Sequence, residues 1–365
     1  MTWRSIDTSA RRALVFTPME TRRQVLVDAA VQAEELGYEA IIVPEGWGLD
    51  ASVVLTEIAM RTERITLVAG ILSIWNRTPA TIAMTAATLN DLSGGRFVLG
   101  LGASTAVLAE GLHDVAFTAP SAKLRSTIAE VRSLLHGDRA STSYGARGLR
   151  LGQEPQPELP IWVAGLGPRS VAIAAELGDG WLPAMLPLDA FDQTLETASE
   201  LATDHCEVIT CVMAGVDHRD TTGKTRAEQL VGWYLTGMGP FYGDVAAAHG
   251  FEVAVDAVRS ANPRPAPGSV VWPSEADALL SQLAVFGTPG AVRAGLEVWD
   301  QRSDLIAVGV GPVEVDAISA LIEAAAPVHP SSSQASASTA ATCTSTGVSS
   351  TGAEPVAASS SRSRR

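Results

Sequence analysis

The chain has 365 residues, 46% of them hydrophobic and 18% charged, with a formal charge of −14 and a sequence pI near 4.9. That length suits one α/β barrel with insertions or two domains of ordinary size, and it suffices to bury a large core. The acidity excludes a surface that tracks a phosphate backbone, three cysteines exclude a disulfide framework or a cysteine-rich metal site, and no run approaches the ~20 apolar residues of a membrane span.

The first twenty residues, MTWRSIDTSARRALVFTPME, contain the paired Arg11 and Arg12, but the apolar stretch after them ends at Pro18 and Glu20. It is shorter than the ~7–15 residues of an export signal, so a cytoplasmic location is expected, with neither nucleic acid nor membrane as partner. ALVFT (13–17) then reads as a strand. Residues 22–36 read as a helix, in which Val25, Ala29, Gln32, Ala33 and Leu36 recur at spacings of three and four before Gly37. AIIVP (40–44) is a strand, 51–61 a helix, and ITLVAGILSI (65–74) a long buried strand. A helix opens at Thr78-Pro79, where Thr suits the cap and Pro the first helical position. RFVLGLG (96–102) is the next strand and 121–136 the next helix, and IWVAGLG (161–167) leads into a helix over 170–178.

EVITCVMAGV (207–216) and DLIAVGVG (304–311) are further strands, and residues 225–287 between them read as a mostly helical insertion. Cys206 and Cys211 are an odd number apart, so along a strand they face opposite ways. Strands apolar throughout, each followed by an amphipathic helix, require a parallel sheet covered on both faces. The expected fold is α/β, a TIM-type (β/α)8 barrel with insertions over 1–326, followed by a tail over 327–365. From Pro330 that tail is about half Ser and Thr, and it cannot bury enough apolar area to offset its ordering entropy, so it is expected to be disordered. Its three Arg and one Glu give it +2, which leaves −16 on residues 1–329.

Two glycine turns follow strands. GLGAST (100–105) nearly matches a dinucleotide fingerprint, but Thr105 replaces the third glycine and no acidic residue stands ~20 positions on. AGLGPRS (164–170) is a second such turn. One Rossmann site needs a single turn of this kind, whereas a barrel builds its site from several strand-end loops. Free N–H groups at such turns can hold phosphate. Gly102 with the Ser104 and Thr105 hydroxyls, and Gly165–Leu166–Gly167 with Arg169 beside them, are therefore candidate cofactor contacts; the alternative is tight strand-to-helix turns with no ligand. His205, His218 and His249 lack metal-ligand spacing, and no metal is expected. The segment 237–242 (GMGPFY) has the composition of a flexible wall over a substrate.

The run SIWNRTPATIAMTAATLNDLSGGRFVLGLG (73–102), with GYEAIIVPEGWG (37–48), EGLHDVAF (110–117) and PIWVAGLGPRSVAIAAELGDGWLP (160–183), resembles the bacterial luciferase-like superfamily. Within it the chain is most similar to the branch that uses the deazaflavin coenzyme F420. The resemblance implies a TIM-type barrel and an F420-dependent oxidoreductase passing hydride between deazaflavin C5 and a small organic substrate (C=C, C=N or alcohol/carbonyl). An FMN-dependent monooxygenase and a non-catalytic flavin-binding barrel are the alternatives. It also implies a non-proline cis peptide, carried over to Ser73–Ile74, with Trp75 and Arg77 beside the cofactor. For Trp75 the other reading is a packed rim aromatic, and for Arg77 an ion pair with an acid such as Asp91.

Glu45 falls where the family has a His or an acid. Beside Trp47 its carboxyl could be held protonated as an acid for catalysis, or it could merely fix the loop. Glu110 and His113 form an i,i+3 pair that could act at the site or cap a loop. Sugar-phosphate dehydrogenase members have His at the Glu45 position and an acid at the Thr105 position, so their substrate does not carry over. Pairing of two copies into a homodimer is expected only by analogy with other luciferase-like barrels.

Overall fold

Along the first strand, β1 (Arg12–Phe16), every residue is buried, but the two faces bury different things. Ala13 and Val15 point into one apolar cluster with Ile42, Val68, Val98 and Trp162. Leu14 and Phe16 point into another that includes the helices. Two-sided burial is what makes such strands read as unbroken apolar runs.

The computed structural model describes residues 10–202 and 206–327; His205, Cys343 and the Ser/Thr-rich tail lie outside them. After β1 come α1 (Arg23–Glu35), β2 (Ala40–Val43), α2 (Ala51–Arg61), β3 (Thr66–Ser73), α3 (Pro79–Leu92) and β4 (Phe97–Gly102). A short α4 (Ala106–Gly111) and α5 (Pro120–Leu135) precede β5 (Ile161–Ala164), α6 (Pro168–Leu177), β6 (Gly180–Leu182), α7 (Leu188–Leu201) and β7 (Glu207–Val216). Next stand α8 (Gly223–Thr236), α9 (Phe241–Ala246), α10 (Glu252–Ala261), α11 (Asp277–Leu283) and β8 (Ala284–Gly287). The described chain finishes with α12 (Pro289–Asp300), β9 (Leu305–Val310) and α13 (Val315–Ala325).

Strands β1 to β6 pair in parallel in chain order, β6 pairs with β7, β7 with β9, and β9 with β1. This closes an eight-stranded parallel barrel of TIM type, flanked by helices. The ninth strand, β8, pairs with the end of the long β7, Met213–Val216 against Ala284–Gly287. Trp162 fills the barrel interior, and a Cβ on Gly180 would come within 2.5 Å of its Cδ1. The glycine makes room for the indole.

Four helices carry side-chain N-caps, each worth about 1 kcal/mol. Asp50 accepts from Ser52 N at 2.9 Å, Thr78 from Thr81 N at 3.2 Å, Thr222 from Thr225 N at 3.1 Å and Thr288 from Ala291 N at 3.3 Å. Helix α6 opens two residues earlier than its sequence predicts. Pro168 occupies its first turn and Gly167 is the cap, with no side-chain bond to the helix N–H groups.

Strands β6 and β8 were not legible in the sequence. β6 is three residues long, and β8 follows α11 with no turn residue between them. Cys206 packs among the outer cluster and Cys211 borders the interior one, so the two do face opposite ways. Among the described residues, no helix is long and apolar enough to cross a membrane.

Candidate active site

The C-terminal ends of the barrel strands surround a cleft of two adjoining lobes that share eight lining residues, Ile71, Thr105, Met238 and Tyr242 among them. The inner lobe, about 130 Å³, lies between the ends of β1, β2, β3, β7 and β9, with Thr17, Glu45, Cys211 and Tyr234 among its walls. The outer lobe, about 420 Å³, runs past the loop after β4, the loop after β5 and the 238–242 segment.

The cis peptide is at Gly70–Ile71, not at Ser73–Ile74. Register explains the shift. Ala69 pairs with Leu99 and Leu72 with Leu101, so Gly70 and Ile71 together oppose Gly100, whereas Ser73 is back in regular pairing with Gly102. A Cβ on Gly100 would lie 2.0 Å from the Ala69 carbonyl oxygen, and one on Gly70 2.0 Å from Ile42 Cγ2. Two glycines therefore let the bulge form, and Ile71 is the residue it brings into both lobes. Ser73 and Ile74 are buried and line neither lobe.

Trp75 is also packed behind the cleft. Its Nε1 donates to the Ala103 carbonyl at 2.6 Å, and its ring meets Phe117 at 5.1 Å with Lys123 Nζ 5.2 Å above it. Phe117, not Trp75, borders the outer lobe.

Glu45 lines the inner lobe, but Trp47 does not cover it; Trp47 is 41% exposed and tilts against Trp233 at 6.4 Å. The Glu45 side chain, 6% exposed, accepts from Arg77 Nη2 at 2.5 Å and from Asn76 Nδ2 at 2.9 Å. Arg77 also reaches Asp50 at 3.0 Å, so its acidic partners are Glu45 and Asp50 rather than Asp91. The hydrogen bond with Glu45, then burial working against it, then the two carboxylate charges, leave the Arg77 guanidinium further into its charged range. Glu45 is thus one half of an ion pair, not a carboxyl set against an indole.

Glu110 and His113 are not brought together at the cleft. Glu110 accepts from the Phe117 amide at 3.0 Å and closes the loop that ends there, and neither residue lines a lobe. The glycine turns do meet in one place. Gly102, Ser104, Thr105, Gly165 and Leu166 all border the outer lobe, with Ser170 of α6. Gly167 caps α6 at the rim, and Arg169 is exposed in its first turn. Thr105 is 7% exposed, yet its Oγ1 has no hydrogen-bond partner, and neither has Oγ1 of Thr17, at 3%.

Several lining groups escaped the sequence reading, among them Thr17, Ile71 and Tyr234. Only Ile71 had a readable signal, the lone Gly70 inside an apolar strand run. The Tyr234 and Tyr242 rings meet edge to face at 5.1 Å. Burial raises both phenols, Tyr234 well above its usual range and Tyr242 to about 12, and burial raises the Cys211 thiol to about 12 as well. Among the described residues, no Lys, Arg or His lines either lobe, and no group of three or more His, Cys, Asp or Glu could hold a metal.

A parallel barrel with an apolar cleft at the C-terminal ends of its strands, edged by glycine turns, has its cleft where barrel enzymes carry their active sites. Residues 10–304 match the luciferase-like monooxygenase family, and the chain belongs to that family. It is 29% identical over 300 residues to a Mycobacterium tuberculosis protein named "Putative coenzyme F420-dependent oxidoreductase Rv3520c", covering 73% of this chain and 85% of that one. It is 25% identical over 302 residues to the 5,10-methylenetetrahydromethanopterin reductase of Methanolobus tindarius, covering 78% and 90%. The coenzyme F420-dependent tetrahydromethanopterin reductase structure from Methanopyrus kandleri superposes with a TM-score of 0.68 at 19% identity, covering 86% of this chain and 97% of that one, and shows the same fold. The chain is an oxidoreductase.

Proposed function

We propose that the protein is an F420-dependent oxidoreductase acting on a small organic substrate, with the cofactor in the outer lobe and its reacting end toward the inner one. The observation that carries this reading is the convergence of both glycine turns and the N-terminus of α6 on the outer lobe, beside the unpartnered, buried Thr105 hydroxyl. The residues present fit such a group. Gly167 has an ordinary φ of −81°, and a Cβ there would meet nothing within 4 Å, so neither strain nor packing demands glycine. The open backbone there leaves room for a ligand to approach closely. Relatives named for F420, such as the F420-dependent glucose-6-phosphate dehydrogenase of Amycolatopsis mediterranei at 28% identity over 173 residues (43% of this chain, 52% of that one), favour the deazaflavin over FMN.

When bound, F420 gives or takes a hydride at C5. The chain's own residues do the rest. N–H groups of the 165–167 turn and of Arg169, with the Arg169 guanidinium outside them, would hold the phosphate; the Ser170 and Val171 amides already donate to the Gly167 carbonyl. Ser104 and Thr105 would offer hydroxyls, and Ile71 would support the ring from the bulge. Tyr234 and Tyr242, kept protonated by burial, are hydrogen-bond donors for a substrate oxygen. Glu45, locked to Arg77 and Asn76, positions the strand-end loops around them.

The test is an equilibrium titration of the purified protein with F420 and, separately, with FMN, followed by the fluorescence of each. Saturable binding of F420 and none of FMN is expected. Binding of FMN alone, or of neither, overturns the reading.

A further inference from the structure

Two carboxylates border the cleft among the described residues, Glu45 in the inner lobe and Asp244 in the outer, and each is met by an arginine that stands outside the lining. Arg77 pairs with Glu45. Arg259, on α10, pairs with Asp244: its Nη2 lies 3.1 Å from Asp244 Oδ1 and donates to the Pro240 carbonyl at 2.8 Å. Both contacts fall on the segment that carries Met238 and Tyr242 into both lobes and Phe241 into the outer one.

The chain folds back to bring that arginine there. Gly239, at φ +80°, opens the segment, and Gly250, at φ +92°, lies in the π-helical turn Ala247–Phe251 that separates α9 from α10. Both positions are in the left-handed region that favours glycine. Helix α10 then packs Val255 and Val258 into the same apolar cluster as Met238 and Ala246, which sets Arg259 beside residues 15 and 19 places earlier. Its guanidinium lies against the backbone at Gly243, where a Cβ would come within 2.8 Å of Cζ. The pair itself is solvated, with side chains 34% and 62% exposed, and such a pair adds little to folding.

We infer that Arg259 is a positioning residue for the cleft: from outside, it holds the 239–244 wall in place and balances the one carboxylate that this wall brings to the outer lobe. The second half rests on the reading of the outer lobe as the F420 cleft, since an anionic cofactor meets an unbalanced Asp244 as a like charge. The first half does not.

Amide hydrogen exchange over 238–246 is compared among the cofactor-free protein, Arg259→Ala and Gly243→Ala, whose added methyl displaces the guanidinium and keeps both charges. Exchange should quicken at least about fivefold in both variants, with the melting temperature nearly kept. Titration with F420 should show an affinity about three- to tenfold lower in Arg259→Ala, largely recovered by adding Asp244→Asn or by raising salt, which a merely structural role would not produce. Unchanged exchange in either variant overturns the inference. So does an unchanged affinity in Arg259→Ala, or a loss that neither Asp244→Asn nor salt recovers. If the wild-type protein binds no F420, the cofactor reading falls and the exchange comparison alone decides this one.

Discussion

At the residue scale, the ion pair between Arg77 and Glu45 is the most constrained polar feature of the cleft. Glu45 is 6% exposed and Arg77 13%, so removing the cation leaves a buried carboxylate with only Asn76 and a long backbone contact from Ser73. Arg77→Met is predicted to lower unfolding free energy by about 3 kcal/mol, measured by urea denaturation. Adding Glu45→Gln to it should recover part of that loss, since the uncompensated charge is then gone; no recovery would mean that the pair is not what stabilises the loop. Arg169 is the opposite case. It is exposed and makes no side-chain bond among the described residues, so Arg169→Ala should weaken F420 binding and shift the melting temperature little. A large thermal shift with unchanged affinity would mark it as structural.

At the element scale, helix α1 is tied to the turn entering β3 by one side chain. Glu34 accepts from the amides of Glu63 at 3.1 Å, Arg64 at 2.6 Å and Ile65 at 2.7 Å. Burial alone would raise its pKa, but those three donors outweigh it and hold it below the usual 4.5. A folded pKa that is depressed means stability present above the unfolded value and lost as pH falls through the folded one. Glu34→Gln should therefore cost about 1 kcal/mol or less at pH 7, after solvent screening, and the difference should fade as pH drops below about 4.5. Thr78→Ala should cost α3 about 1 kcal/mol at either pH, because a hydroxyl cap does not titrate. Elements of this length were legible in the sequence: β1 to β4 are apolar runs bounded by Gly, Pro or charged residues, and Thr78-Pro79 announced α3. β6 and β8 were not, since segments of three and four residues are too short to show a period, and β8 follows α11 without a break. The site was legible where it is local. The two glycine turns and the 237–242 wall stand where the sequence put them, whereas the Glu45–Arg77 pair, 32 residues apart, and the meeting of Thr17 with Tyr234 exist only once the barrel closes. The displaced cis bond has the same origin, for its position depends on the register between β3 and Gly100 on β4.

At the scale of the whole molecule, the charge of −14 would oppose the proposed anionic cofactor at long range, while short-range N–H groups at the glycine turns would attract it. F420 affinity is accordingly predicted to hold steady or tighten between low salt and about 0.5 M salt, as repulsion is screened. A steep loss of affinity with salt would point to a cluster of cations that is absent from the cleft among the described residues. The proposed cofactor cleft rests on the same division of labour, with backbone amides in two loops, brought together by barrel closure, as the anion-holding groups. Amide hydrogen exchange measured with and without saturating F420 tests that location most directly. Protection should rise across 102–106 and 164–170 together, with a smaller rise at 70–72. Protection confined to other segments, with these loops unchanged, would contradict the assignment of the outer lobe as the cofactor cleft.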